Sequence, residues 1–289
     1  MNMHSPSNNM KGDFDLSQSD FERIAQVAKV GWGLNLDKAK RPLIKSRLMK
    51  RLRALELPDF ATYCELIEAK DQNEIGHFIT ALTTNVTSFY REAHHFEYLE
   101  NGVIPDLIER AKQGERVRLW SAGCSSGQEP YSLAGSLLSF DKQASSYDLK
   151  ILATDIDALV LEKAKRGAYP QDDCTFPSPS HESRILKPDA DGSQREVHEA
   201  LKSLISFRHL NLVDQWPISG KFDVIMCRNV AIYFDKPTQA RLWSRFRQCL
   251  QPNAHLFIGH SERIADPDAI GLKVAGTTTY RPHPMTISA

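Results

Sequence analysis

Four short apolar runs constrain the fold of this chain most: "RVRLWSAG", "LKILATDI", "KFDVIMCRNV" and "AHLFIGHSE". Each ends in small or polar residues, and helical patterns such as "EPYSLAGSLLSF", "DALVLEKAKRG" and "TQARLWSRFRQCL" lie between them. Buried strands alternating with helices imply a mostly parallel sheet covered on both faces, so an α/β fold is expected. The β-branched "LKVAGTTTYRP" predicts one further edge strand. Upstream the texture differs. From residue 17 to 92 apolar residues recur three and four apart, with Ser17, Asp59 and Asn73 placed as helix N-caps, which predicts a small all-helical domain. The expected order is a flexible start (1–16), the helical domain (17–92), a linker (93–106), the sheet domain (107–282) and a tail (283–289). A polar, Pro-rich insert at 171–205 interrupts the sheet domain, and its strand-like pieces flank the turn sequence "PDADGS".

Composition narrows the function classes. With 289 residues, 41% of them hydrophobic, the chain can bury real cores, and a formal net charge of zero argues against coating nucleic acid. The five cysteines are odd in number and form no CxxC pair, so neither a disulfide framework nor a metal site is expected. The N-terminal stretch lacks the basic-then-apolar pattern of a signal peptide, and no apolar run approaches the roughly 18 residues of a membrane span. A cytoplasmic protein without direct membrane insertion is expected.

Ligands of open α/β sheets sit at the carboxyl ends of the strands, and "SAGCSSGQE" puts Gly123 and Gly127 there after the first strand. The spacing is neither GxGxxG nor a phosphate loop with its lysine, and such glycines equally serve tight packing. Asp155, ending the second strand, suits ribose hydroxyls, while its neighbour Asp157 suits a helix N-cap. Together they suggest an adenosine ligand without a polyphosphate. The third strand runs into Arg228, Asn229 and Tyr233, polar groups that need partners wherever burial excludes water.

Five stretches carry a resemblance in register: "TTNVTSFYRE", "WSAGCSSGQEPYS", "ATDID", "CRNVAIYFD" and "GHSE". From about residue 17 to 282 the chain resembles the chemotaxis receptor methyltransferases, the CheR family, which use S-adenosylmethionine to methylate receptor glutamates and release S-adenosylhomocysteine. The resemblance implies a Rossmann-like S-adenosylmethionine-dependent methyltransferase sheet with an N-terminal all-helical domain and a small β insert. It places Asn85, Thr87, Arg91, Glu129, Asp155, Asn211, Leu212, Arg228 and Asn229 around the cofactor. Arg91 and Tyr233 would face the methyl-transfer position. A glutamate carboxylate, with a reference pKa near 4.3, is ionised at neutral pH, so the reaction needs orientation rather than a general base. With no Cys or acidic neighbour at ligand spacing, His94, His95 and His260 are assigned to hydrogen bonding or packing, and the Phe89–Tyr90 pair to packing between the domains.

The stretch from Lys38 to Arg53 carries eight basic residues and no acid, with Ile44, Leu48, Leu52 and Leu55 as an apolar stripe. A basic face would steer toward the acidic helices of methyl-accepting receptors, so Arg47, Lys50 and Arg51 are expected to contact the receptor. A monomer is expected, with no nucleic acid among the partners. In some family members the insert docks a peptide from the receptor; here its sequence match is poor, and an ordinary surface excursion fits as well. The competing functions are a base-modifying methyltransferase of the same fold, disfavoured because "RNVAIYF" replaces an Asn/Asp-Pro-Pro-aromatic motif, and a non-catalytic S-adenosylmethionine sensor.

Overall fold

A computed structural model describes residues 14–189 and 192–283, apart from the side chain of Gln72. The expected flexible start therefore lies outside the described residues through position 13, as do residues 284–289 of the tail. The chain forms two compact units, one ending at Leu82 and excluding Trp32–Asn35, the other made of Trp32–Asn35 and everything from Thr83 onward. Residues 83–92, which the helical periodicity assigned to the first domain, thus belong to the second unit. The reason is local: "TTNVTSFYRE" has no regular helix, and its Phe89 and Tyr90 are buried.

The first unit consists of α1 (Gln18–Trp32, whose last residue belongs to the second unit), α2 (Arg41–Ala54), α3 (Phe60–Glu68) and α4 (Gln72–Leu82). Phe21, Ile24, Leu48, Leu52, Phe60 and Phe78 are fully buried within it. Two expected caps are present: Ser17 Oγ accepts from the Asp20 N–H at 3.0 Å, and Asp59 accepts from the Thr62 N–H at 2.8 Å. The third is displaced, because Asp71 rather than Asn73 accepts the first N–H groups of α4. On α2 the apolar stripe ends at Leu52; Leu55 lies past the helix end and is exposed.

The second unit is built on a seven-stranded sheet. Its strands are β1 (Val117–Ala122), β2 (Leu149–Asp155), β6 (Ile205–His209), β7 (Phe222–Cys227), β8 (Leu250–Ile258), β9 (Leu272–Gly276) and β10 (Thr279–Pro282). The order is β6-β2-β1-β7-β8-β10-β9, with the first five strands parallel and β10 antiparallel to both of its neighbours, β8 and β9. Where one edge strand was expected, Thr277 and Thr278 turn the chain into the β9–β10 hairpin. Helices α5 (Ala93–Tyr98), α6 (Ile104–Lys112), α7 (Gln128–Phe140), α8 (Ala158–Arg166) and α11 (Lys236–Cys249) complete the framework. β7 is buried at every residue, as a strand covered on both faces must be.

The insert is a subdomain rather than a bare excursion. β3 (Ala168–Pro170), β4 (Leu186–Pro188) and β5 (Gln194–Val197) form an antiparallel sheet in the order β3-β5-β4, and α9 (Pro179–Ile185) and α10 (Glu199–Lys202) flank it. Its first strand precedes the expected start at 171. The sequence hid this sheet because its outer strands are only three residues long. Phe89 stacks on Phe176 of this region, with ring centroids 4.4 Å apart, and Tyr90 meets Phe96 edge-on at 5.0 Å. The Phe89–Tyr90 pair thus packs on other residues of the second unit.

Candidate active site

In strand order, β2 and β6 follow β1 on one side while β7 and β8 lie on the other, so the chain reverses direction across the sheet between β1 and β7. That switch point opens a crevice at the carboxyl ends of both strands. A pocket lies there, lined by residues of the second unit that include Asn85, Thr87, Arg91, Glu129, Asp155, Asn211, Leu212, Arg228, Asn229 and Tyr233. Every residue expected at the cofactor or the reacting group thus lines one cavity. Trp32, Leu34, Val86, Ser125, Ile232 and Phe234 also line it and were not singled out from the sequence. Val86 and Ile232 are exposed apolar residues, and their place beside the motif residues in the chain was the available signal.

Backbone geometry shapes the floor. Gly123 has φ +85°, and a Cβ there would meet Val230 Cγ2 at 2.3 Å, so no other residue lets the loop after β1 lie against the loop after β7. The N–H groups of Gly123 and Cys124 both donate to Thr154 O, which ties that loop to β2. Asp155 is buried and accepts from the N–H of Ser125 at 2.7 Å and of Asp157 at 2.9 Å. Burial, opposed by these hydrogen bonds, raises its carboxyl from 3.8 to about 6. Asp157 caps α8 and accepts from Asn85 Nδ2 at 2.9 Å. The division of labour expected for the two acids is present on the Asp157 side: it is the N-cap.

At the other wall a buried charge cluster gathers around Arg228, whose side chain is 2% exposed. Its Nε lies 3.5 Å from Glu129 Oε2 and 3.9 Å from Glu92 Oε2, and Nη2 donates to Arg91 O. Glu129 also accepts from Ser121 Oγ at 2.6 Å, and burial, only partly offset by Arg228, pushes its carboxyl up. For Glu92 burial acts the same way, but the hydrogen bond from His260 and the charge of Arg228 outweigh it and hold that carboxyl down. Arg228 Nε and Nη1, Glu92 Oε2 and His95 Nδ1 are buried without a hydrogen-bond partner. Such atoms call for a ligand or water at this wall.

The histidines need one correction. They have an acidic neighbour at ligand spacing after all: Glu92, His94 and His95 bring one ligand atom each within 4.8 Å of one another. The cation facing that carboxylate is the Arg228 guanidinium, whose charge opposes a second cation there. His95 is buried and its imidazole is pushed down to about 3 by burial and Arg228, so it is neutral. It hydrogen-bonds Thr278 Oγ1 at 2.9 Å and packs edge-on against Phe257, while His260 Nδ1 lies 2.8 Å from Glu92. Arg91 Nη1 donates to Val86 O at 2.8 Å, and the Tyr233 hydroxyl donates to Thr84 O at 3.1 Å.

Arg47, Lys50 and Arg51 lie in the first unit. Lys50 is exposed, and Arg47 donates to Ala81 O at 3.2 Å. Arg51 forms a two-pronged pair with buried Glu74, at 3.0 and 2.7 Å, and Tyr63 donates to the same carboxylate. Arg51 is thereby committed to the helical core, a role its position in the basic run did not reveal.

Comparison with known proteins agrees with the fold. The model for the CheR methyltransferase SAM-binding domain matches residues 85–280, and that for the CheR all-alpha domain matches residues 19–83. A probable chemotaxis protein methyltransferase of Rhizobium etli is 45% identical over 256 residues, 86% of this chain and 94% of the relative. A chemotaxis protein methyltransferase of Borreliella burgdorferi is 36% identical, with 91% and 94% covered. Chemotaxis protein methyltransferase 2 of Pseudomonas aeruginosa is 40% identical, with 93% and 95% covered.

Proposed function

Because the chain belongs to the CheR methyltransferase family, we propose that it methylates glutamate side chains of methyl-accepting chemotaxis receptors, giving glutamate methyl esters for chemosensory adaptation. The observation that carries the carboxylate acceptor is the make-up of the pocket. Arg91 and Tyr233 line it, no histidine does among the described residues, and its two carboxylates, Glu129 and Asp155, are assigned to the cofactor, which leaves orientation rather than proton abstraction for the acceptor side. The residues suit the cofactor of the family. The unpartnered Nη1 of Arg228 matches the anionic carboxylate of a methionine moiety, Glu129 its ammonium, and Asp155 a ribose, while no lysine follows the glycine loop to hold a phosphate chain.

Bound S-adenosylmethionine supplies an electrophilic methyl group on a sulfonium. Asp155 and Asn85 would hold the ribose side, and Asn211 and Leu212 the adenine, with Thr87 and Asn229 closing the walls. Arg91 presents a planar fork of donors that can align both oxygens of a glutamate. Its contact should orient the nucleophile without fully neutralising it, since a carboxylate held too tightly attacks poorly. Tyr233 adds a donor if its hydroxyl exchanges Thr84 O for the incoming carboxylate. Docking falls to the basic face of α2. Since Arg51 is tied to Glu74 and Arg47 donates to Ala81 O, exposed Lys50 is the residue of the three placed to steer an acidic receptor helix.

Incubation with methyl-labelled S-adenosylmethionine and receptor-enriched membranes tests this reading. Base-labile label on the receptor is expected, and Lys50→Glu should lower the rate at low salt several-fold while leaving cofactor binding unchanged. Base-stable label would replace the ester by a methylated amine. Binding without transfer would leave only a sensor.

Acid should weaken cofactor binding. A charged Asp155 accepts ribose hydroxyl protons better than a neutral one, and its carboxyl titrates at about 6. The affinity for S-adenosylhomocysteine is therefore expected to fall as pH drops through about 6. In Asp155→Asn the affinity should be roughly tenfold lower at neutral pH and lack that limb. For the unliganded fold the sign is opposite. A carboxyl raised above its unfolded value is disfavoured when charged, so its penalty is relieved as pH falls through about 6. Calorimetric titrations across pH check the binding limb, and an unchanged limb in the variant would assign it elsewhere.

A further inference from the structure

The loop after β7 supplies Arg228, Asn229, Val230, Ile232, Tyr233 and Phe234 to the pocket, yet it has little regular structure of its own beyond a single 3-10 turn, Ala231–Tyr233. Its conformation is also strained at the start, since Asn229 sits at φ +60° in the left-handed region, where a non-glycine residue needs support. The support comes from the loop after β8. Glu262 Oε2 accepts from the N–H of Asn229 at 3.1 Å and of Gly259 at 2.6 Å. Its Oε1 accepts from the N–H of Val230 at 3.0 Å and of Ile232 at 3.3 Å. One buried carboxylate thus gathers four backbone donors from two loops. Gly259 closes the same contact from the other side: a Cβ there would lie 2.7 Å from both the backbone N and the side-chain Nδ2 of Asn229.

We infer that Glu262, seated through Gly259, is a positioning residue for methyl transfer: it holds the Asn229 turn so that the cofactor wall and the Tyr233 ring stand in register. Glu262 does not itself line the pocket. It acts through backbone groups, and the geometry explains why the acceptor must be a carboxylate. Four N–H donors converge on two oxygens, and an amide could offer one oxygen while aiming its own N–H₂ at donors. A glutamine of the same size would therefore lose the hydrogen bonds on one side and face like dipoles there. Burial raises the Glu262 carboxyl and the N–H groups of Gly259 and Asn229 oppose that rise, as expected for a carboxylate whose hydration they replace.

The inference rests on the methyltransferase reading, and the two can fail separately. Calorimetry with S-adenosylhomocysteine and steady-state methylation of receptor membranes are run on the parent, Glu262→Gln and Gly259→Ala, with tryptophan fluorescence and melting to establish folding. If the parent binds no S-adenosylhomocysteine, the functional reading fails first. If it binds, Glu262→Gln is expected to bind at least tenfold more weakly, with a raised KM for S-adenosylmethionine, a lowered kcat and an unchanged KM for receptor. Gly259→Ala removes no charge and displaces the same turn, so it should reproduce that pattern and carries the test if Glu262→Gln does not fold. A purely structural role predicts lower melting temperatures with binding and KM of the folded protein unchanged; that result, or failure of both variants to fold, overturns the inference.

Discussion

Replacing Arg91 by alanine is expected to slow methyl transfer by about a hundredfold at saturating S-adenosylmethionine, because misplacing a bound nucleophile by an ångström can cost that much. Arg91 lines the pocket and anchors one of its five N–H donors on Val86 O, which fixes where the guanidinium can reach. The side chain belongs to a segment held by buried neighbours, Phe89 and Tyr90, so its base is rigid while its tip faces the cavity. Cofactor affinity should change less than tenfold, since the adenosine contacts assigned to Asp155 and Asn211 are untouched. Arg91→Lys should recover only part of the rate, because an ammonium is a point charge that cannot grip both carboxylate oxygens in plane. Single-turnover kinetics with saturating cofactor separate chemistry from binding. Turnover of Arg91→Ala within threefold of the parent would remove Arg91 from the reacting centre.

How much of this was legible in the sequence depended on the range of the physical signal. The parallel strands announced themselves because each is a continuous apolar run, and the pocket residues because they follow those runs directly: Gly123 after β1, Asp155 ending β2, Arg228 after β7. Local hydrogen-bond chemistry gave the Ser17 and Asp59 caps. It failed at α4, where two acceptors lie two positions apart and only the backbone path selects Asp71. Partnerships across long separations left no local mark. Nothing in the basic run distinguishes Arg51, tied to Glu74 in another helix, from exposed Lys50. Nothing in "FYRE" shows that Glu92 will face Arg228, 136 positions later. The β insert was opaque for another reason: three-residue strands are too short to display an alternation.

That long-range cluster carries the largest stability effect expected of one substitution. Arg228→Met keeps the bulk of a buried side chain but leaves Glu92 and Glu129 facing each other without the guanidinium between them. Removing one partner of a buried ion pair typically costs about 3–5 kcal/mol, a large part of the ~5–15 kcal/mol that holds a domain together. The loss should depend on pH in a defined direction. In the variant Glu129 keeps the burial that raises its carboxyl and loses the Arg228 charge that offset it, so it is penalised while charged and relieved as pH falls through its raised value. The variant is thus expected to be less stable relative to the parent at pH 8 than at pH 5.5, with each tenfold change in proton affinity between the folded and unfolded chain worth about 1.4 kcal/mol. Glu129→Gln in the same background should return part of the loss at pH 8, because it removes one of the two stranded charges. All four tryptophans, Trp32, Trp120, Trp216 and Trp243, belong to the second unit, so urea unfolding followed by tryptophan fluorescence reports on the unit in question. A loss below ~1 kcal/mol that does not vary with pH would mean that water, rather than Arg228, compensates the two acids.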